Sequence, residues 1–196
     1  MDDDHAIILP GARALEPLKQ GSLDGLCGLY SVINAIRVTV YPEHKLTQSQ
    51  QYRLFKHGIR FYRRRRNLAK LVRSGMTERA WEELCGELVG YSNAMLGTTI
   101  EHRPLFIGLE PLRPRTALGR VKRHIETGYP VLIELAGSYN HYTVVVGYQL
   151  GRLHLFDSGP FKWIEPRSCG TAAKKPDARH QLVPGGAIAL MRTAPP

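Results

Sequence analysis

Apolar residues at Leu26, Leu29, Val32, Ile33 and Ile36 recur every three or four positions. That spacing predicts a buried helix from about Cys27 to Val38, ended by Pro42. Thr47 heads a second helical pattern reaching about His57, with Gly58 near its end, and a third runs to about Arg73 before Gly75. Thr77-Glu78 opens a fourth, which places Trp81, Leu84, Leu88 and Val89 on one face together with Cys85. Residues 98–115, interrupted by Pro104, Pro111 and Pro114, read as a crossover or cleft-lining loop, and 116–127 as a helix closed by Gly128. The period then changes. β-Branched and aromatic runs predict strands at about 130–136, 142–149, 152–156, 161–165 and 187–192, with a basic loop at 166–185 that carries Cys169. One more short strand is expected around Ile7. Helices first and an antiparallel sheet second make an α+β chain.

At 196 residues and 43% hydrophobic, the chain can bury one substantial core, so a single domain over 1–196 is expected, with a helical half at about 20–97 and a mainly β half at about 116–192. Three cysteines, Cys27, Cys85 and Cys169, are too few and too scattered for a disulfide framework or a zinc site. The histidines lack metal-ligand spacing and no glycine motif cradles phosphate, so no cofactor and no metal are expected. The acidic start leads into only a brief apolar run, which is not a secretory signal, and no segment reaches transmembrane length. The default expectation is a cytoplasmic protein, or one delivered by a secretion system without a cleaved signal peptide.

Charge is placed unevenly. Between Glu43 and Glu78 there is no acid and there are ten bases, enough to account for the whole formal net charge of +10. Among them are Arg63, Arg64, Arg65 and Arg66. Interleaved apolar positions such as Leu54, Ile59 and Tyr62 mark amphipathic helix, not a disordered tail. The four arginines are therefore candidates for an electrostatic contact with an anionic partner surface, against the plain reading of a solvated basic face. No sequence-specific nucleic-acid motif accompanies them.

Candidate chemistry sits elsewhere. Cys27 opens the first apolar helix after the turn Asp24-Gly25. A helix start carries partial positive charge and unpaired N–H groups, which favour a thiolate and an oxyanion beside it. Gln20, one short loop upstream, can supply a second oxyanion donor with the Cys27 amide. His141 stands at the mouth of the core strand 142–148, where its backbone is fixed and its ring can reach a helix start. Asp157 follows the next strand; Asp157-Ser158-Gly159-Pro160 is also a good plain turn. Cysteine, histidine and aspartate in this order are the parts of a thiol nucleophile, its base and the group that orients the base. Asn140 is the alternative orienter.

The segments Gln20-Gly21-Ser22…Cys27-Gly28 and Asn140-His141-Tyr142-Thr143-Val144-Val145-Val146-Gly147-Tyr148, with a polar residue after the next strand, resemble the papain-like cysteine peptidases. Asp157, where papain and the cathepsins carry Asn, is more similar to the bacteriocin-leader-processing peptidases of export transporters. The resemblance covers about 20–36 and 128–159. It implies a fold whose helical half carries the nucleophile on a long helix, packed on an antiparallel sheet that carries His and Asp. It also implies cleavage of a peptide, isopeptide or side-chain amide bond in a protein or peptide substrate through a thioester. Two other readings stay open: a non-catalytic papain-like docking or chaperone module, and an anionic-surface binder using 45–73.

Overall fold

The computed structural model describes residues 6–21, 24–65, 68–109 and 111–193. In chain order they form β1 (Ile7–Ile8), α1 (Pro10–Ala14), α2 (Cys27–Val40), α3 (Gln48–Arg65), α4 (Leu68–Ser74), α5 (Glu78–Leu96), β2 (Ile100–Pro104), α6 (Pro114–Glu126), β3 (Val131–Gly137), β4 (His141–Gln149), β5 (Arg152–Leu155), β6 (Trp163–Ile164), β7 (Cys169–Gly170), β8 (His180–Gln181) and β9 (Ala187–Arg192). The architecture is α+β and papain-like. The sheet runs in the order β2-β9-β3-β4-β5-β6, with every neighbour on that path antiparallel. Short β1 pairs with the far end of β4, and β8 with the end of β3.

Helix α2 is the axle of the molecule. Twelve of its fourteen residues are buried, so it is enclosed and not a surface helix with one apolar stripe. It packs on β4, β9 and β3 on one side and on α1, α3 and α5 on the other. α5 begins where the sequence predicts: Thr77 caps it by accepting from the Ala80 N–H, and its face of Trp81, Leu84, Cys85, Leu88 and Val89 is buried. Gly97, in the left-handed region at φ 64°, closes it, a conformation most side chains resist.

Two expectations are corrected. Gly58 does not end a helix: α3 starts from a Thr47–Gln50 capping box and continues through Gly58 to Arg65. The glycine is a contact point, since a β-carbon there would come within 2.5 Å of Leu29 Cδ1 on α2. Part of 98–115 is also not loop. Ile100–Pro104 is β2, an edge strand paired to β9 from Ile100↔Arg192 to Pro104↔Ile188. Only one of its residues is fully buried, so its sequence lacks a core strand's signature. Among the described residues no helix is long and apolar enough to cross a membrane.

Candidate active site

Cys27 is the first residue of α2 and 7% exposed. Asp24 shapes the approach to it without capping the helix at its second or third residue. Its two carboxylate oxygens accept from the N–H groups of Gly21 (2.9 Å) and Leu26 (3.1 Å), closing a tight Asx-type turn. Gly28 follows because the space beside it is taken: a β-carbon there would lie 2.7 Å from the Met76 sulfur.

The chain before this turn is strapped down from two sides. Buried Asn34 on α2 accepts from the Leu18 N–H (2.8 Å) and donates to the Leu18 carbonyl (3.1 Å). Arg37, one helical turn on, donates to the Glu16 carbonyl and to Asn34 Oδ1. From the sheet side, Lys19 Nζ donates to the carbonyls of Asp157 (3.0 Å) and Gly159 (2.8 Å), and the Gln20 N–H to the Ser158 carbonyl (3.0 Å). The Ser158 hydroxyl donates to Gln20 Oε1 at 3.3 Å, which turns the NH2 of that amide away from Ser158. Sequence reasoning missed Lys19, Asn34 and Ser158. Partners 16 and 138 residues apart leave no local signal.

His141 opens β4 after a turn in which Asn140 takes φ 43°. Its Nε2 lies 2.6 Å from Asp157 Oδ1, and the ring is near enough to Cys27 to feel the charge of its sulfur. With Nε2 held by the carboxylate, Nδ1 is the nitrogen left for the sulfur. Asp157 is 1% exposed and its other oxygen accepts from the Gly159 and Phe161 N–H groups at 2.8 and 3.2 Å. The Phe161 ring packs on His141 at 5.4 Å between centroids. Cys27, His141 and Asp157 thus meet in one place and in that order, from three separate stretches of chain. Asn140, the alternative orienter, is an exposed turn residue, and Asp157 occupies the ring nitrogen it would need.

The electrostatics follow from the geometry. Burial pulls the His141 imidazolium down, but the hydrogen bond to Asp157 and the charges of Asp157 and Cys27 outweigh it and raise the group to about 9. Burial would raise Asp157, yet the bond to His141 and its charge hold the carboxyl below its ordinary value. Both shifts favour the charged forms of the pair, imidazolium and carboxylate. Beside this group lie residues the sequence did not single out. Glu134 is pushed up to about 7 by burial and by the charge of Glu78. Tyr142 is raised by burial, then by Glu134, and its hydroxyl donates to the Met76 carbonyl at 3.1 Å.

The other two cysteines have no such setting. Burial pushes Cys85 far up, and Cys169 to about 11. All three thiols are free. Among the described residues no group of three or more His, Cys, Asp or Glu side chains is placed to hold a metal ion. On the helical half, α3 exposes Arg53, Lys56, Arg60, Arg63 and Arg64 while burying Leu54 and Tyr62. Arg65 is the last residue of α3, and Arg66 lies outside the described residues.

No family model matches this chain, and no curated protein matches it either. Among solved structures, the fold is similar to that of a candidate C39-like peptidase from Bacillus anthracis. The match covers 98% of this chain and 100% of that one at 11% identity and a TM-score of 0.50. At that identity the likeness is one of fold, and it agrees with the α+β papain-like architecture described above.

Proposed function

We propose that this protein is a thiol hydrolase of papain-like fold that cleaves a peptide, isopeptide or side-chain amide bond. The observation that carries the reading is the chain of contacts Cys27–His141–Asp157 at the start of α2. In it, imidazolium and thiolate form a pair, and the thiolate attacks the carbonyl carbon. The negative charge that develops on oxygen is met by the Cys27 amide and the Gln20 NH2. His141 then gives its proton to the leaving amine, and the resulting thioester is hydrolysed by water, which His141 deprotonates in turn. Asp157 holds the ring in the tautomer and orientation this needs. No cofactor enters these steps. The exposed arginines of α3, Arg63 and Arg64 foremost, would contact an anionic surface of the partner without taking part in the chemistry.

A peptidyl electrophile tests the reading. Incubated with the intact protein and mapped by mass spectrometry, it is expected to modify Cys27, to leave Cys85 and Cys169 unmodified, and to lose reactivity in His141→Ala. Modification of Cys169 ahead of Cys27 would count against it, and an inert Cys27 in a folded chain would favour a docking or chaperone module.

Lys19 gives a finer test of the strap. Lys19→Met removes two hydrogen bonds to the 157–159 loop, so Gln20 loses part of its anchorage. The expected result is a drop of about ten-fold in kcat with KM little changed, because an oxyanion donor acts in the transition state and one lost donor costs about 10²–10³. A rise in KM alone would place Lys19 in substrate binding instead.

A further inference from the structure

Two basic stretches far from the candidate active site meet across a cavity of about 760 Å³. One is the start of α6, with Arg113 and Arg115 at its mouth and Lys122 two turns along. The other is the loop after β6, with Arg167, Lys174 and Lys175. The floor is formed by buried Leu118 and Leu153 and by Tyr148, over whose ring the Lys122 ammonium sits at 3.8 Å. Arg167 is paired with Glu165 at 2.5 Å and Lys122 is engaged at the floor, so Arg113, Arg115, Lys174 and Lys175 are the cations that matter for the cavity's charge. No acidic side chain among the described residues lines the cavity. The α6 N-terminus faces it with no capping side chain and no acid in its first turn, so its partial positive charge adds to that of the side chains.

Cations gathered around one concavity raise the local positive potential and attract anions. The side chains of Arg113, Arg115, Lys174 and Lys175 are exposed, but their backbones stand on facing walls. The two walls are tied together by a Thr171 Oγ1 bond to the Leu112 carbonyl at 2.9 Å. The cavity sits near the far end of β4. Tyr148 and His141 are seven residues apart on that strand, roughly 23 Å at strand rise, so the cavity is separate from the Cys27 site.

We propose that this cavity binds a small ligand carrying several phosphate groups. One phosphate would meet one wall, whereas a linked set matches Arg113 and Arg115 on one wall and Lys174 and Lys175 on the other at once. The phosphates can belong to a soluble molecule or to a multiply phosphorylated lipid headgroup, and the two sources are separable.

The test is calorimetric titration of the full chain with inorganic tripolyphosphate at low and at physiological salt. One site per chain is expected, weakened by salt, with orthophosphate bound at least ten-fold more weakly. Replacing Arg113, Arg115, Lys174 and Lys175 together by glutamine should weaken tripolyphosphate at least ten-fold. The same change should leave the melting temperature equal or raise it, since repulsion has been removed. Should the fourfold variant not fold, Lys174→Gln with Lys175→Gln alone, on an exposed loop, should still weaken binding about three-fold. Arg60→Gln with Arg63→Gln and Arg64→Gln on α3 should leave it unchanged. Sedimentation with vesicles containing a phosphatidylinositol bisphosphate, competed by tripolyphosphate, would identify the lipid source; binding in solution without sedimentation would identify a soluble one. Failure of the wild-type chain to bind, several weak sites, or equal loss in the α3 variant would overturn the proposal. None of these readouts depends on hydrolysis, so the proposal and the assignment of Cys27 stand or fall separately.

Discussion

Cys27→Ala should abolish turnover of any substrate the wild-type protein hydrolyses, by about four orders of magnitude or more in kcat, as loss of a nucleophile does in triad hydrolases. The change removes one sulfur atom from a site only 7% exposed. Alanine is a good helix residue at the first position of α2, so melting should move little. His141→Ala should cost a similar factor, because in the proposed mechanism the ring both pairs with the sulfur and protonates the leaving group. The double variant should then be scarcely worse than either single one, since groups that act as a unit are not additive. The measurement is single-turnover hydrolysis of a fluorogenic peptide or side-chain amide, with circular dichroism to check folding. More than a tenth of wild-type activity in folded Cys27→Ala would remove this residue from the chemistry.

Asp157→Ala should have the largest effect on stability. It leaves His141 without its charged partner and two loop N–H groups without their acceptor. Breaking a buried pair on one side costs about 3 kcal/mol or more. The loss should depend on pH in a defined way. Asp157 is held below its ordinary 3.8 in the folded chain, so its contribution is present above that pH and is lost as pH falls through the folded value. His141 is raised from 6.5 to about 9, so its contribution is complete below about 6.5 and is lost as pH rises through 9. The stability gap between wild type and Asp157→Asn should therefore be widest between about pH 4 and 6.5 and narrow on both sides. Urea midpoints from pH 3 to 10 measure it. A gap that grows toward pH 9 would mean that His141 is not the partner that matters. For the proposed hydrolase the same shift predicts a fall in kcat/KM above about pH 9, moved to lower pH in Asp157→Asn.

The sequence carried much of this arrangement because the decisive elements announce themselves locally. α2 and α5 have helical periods with caps or breakers at their ends, and β4 is a run of β-branched residues that no exposed strand would carry. Once those were placed, the positions of Cys27 and His141 at element starts were readable. Other features depended on distant contacts. Gly58 has the residue type of a helix stop and is used as a place for Leu29 to approach. β2 is mostly exposed and ends in proline, so only its pairing with β9 makes it a strand. Lys19, Asn34 and Ser158 are ordinary polar residues until the fold brings the chain before Cys27 against the loop after β5. Residues 98–115 and the basic stretch 166–185 read as loops and 116–127 as a helix, with nothing local to link them: their shared cavity exists only after α6 and the β6–β8 connection have packed.

Strand order has a consequence for the timing of synthesis. β9, near residue 190, lies between β2 and β3, not at an edge. A ribosome delivers Cys27 and its helix long before His141, and His141 before the strand that joins the two parts of the sheet. A nascent chain therefore carries a thiol with no base, then a base on an unfinished sheet, while it is surrounded by other exposed polypeptides. The sheet that would carry His141 and Asp157 is complete only when about residue 192 has left the exit tunnel and β9 has inserted. For a protein that would cut amide bonds, this topology would delay assembly of the site until the segment had been translated.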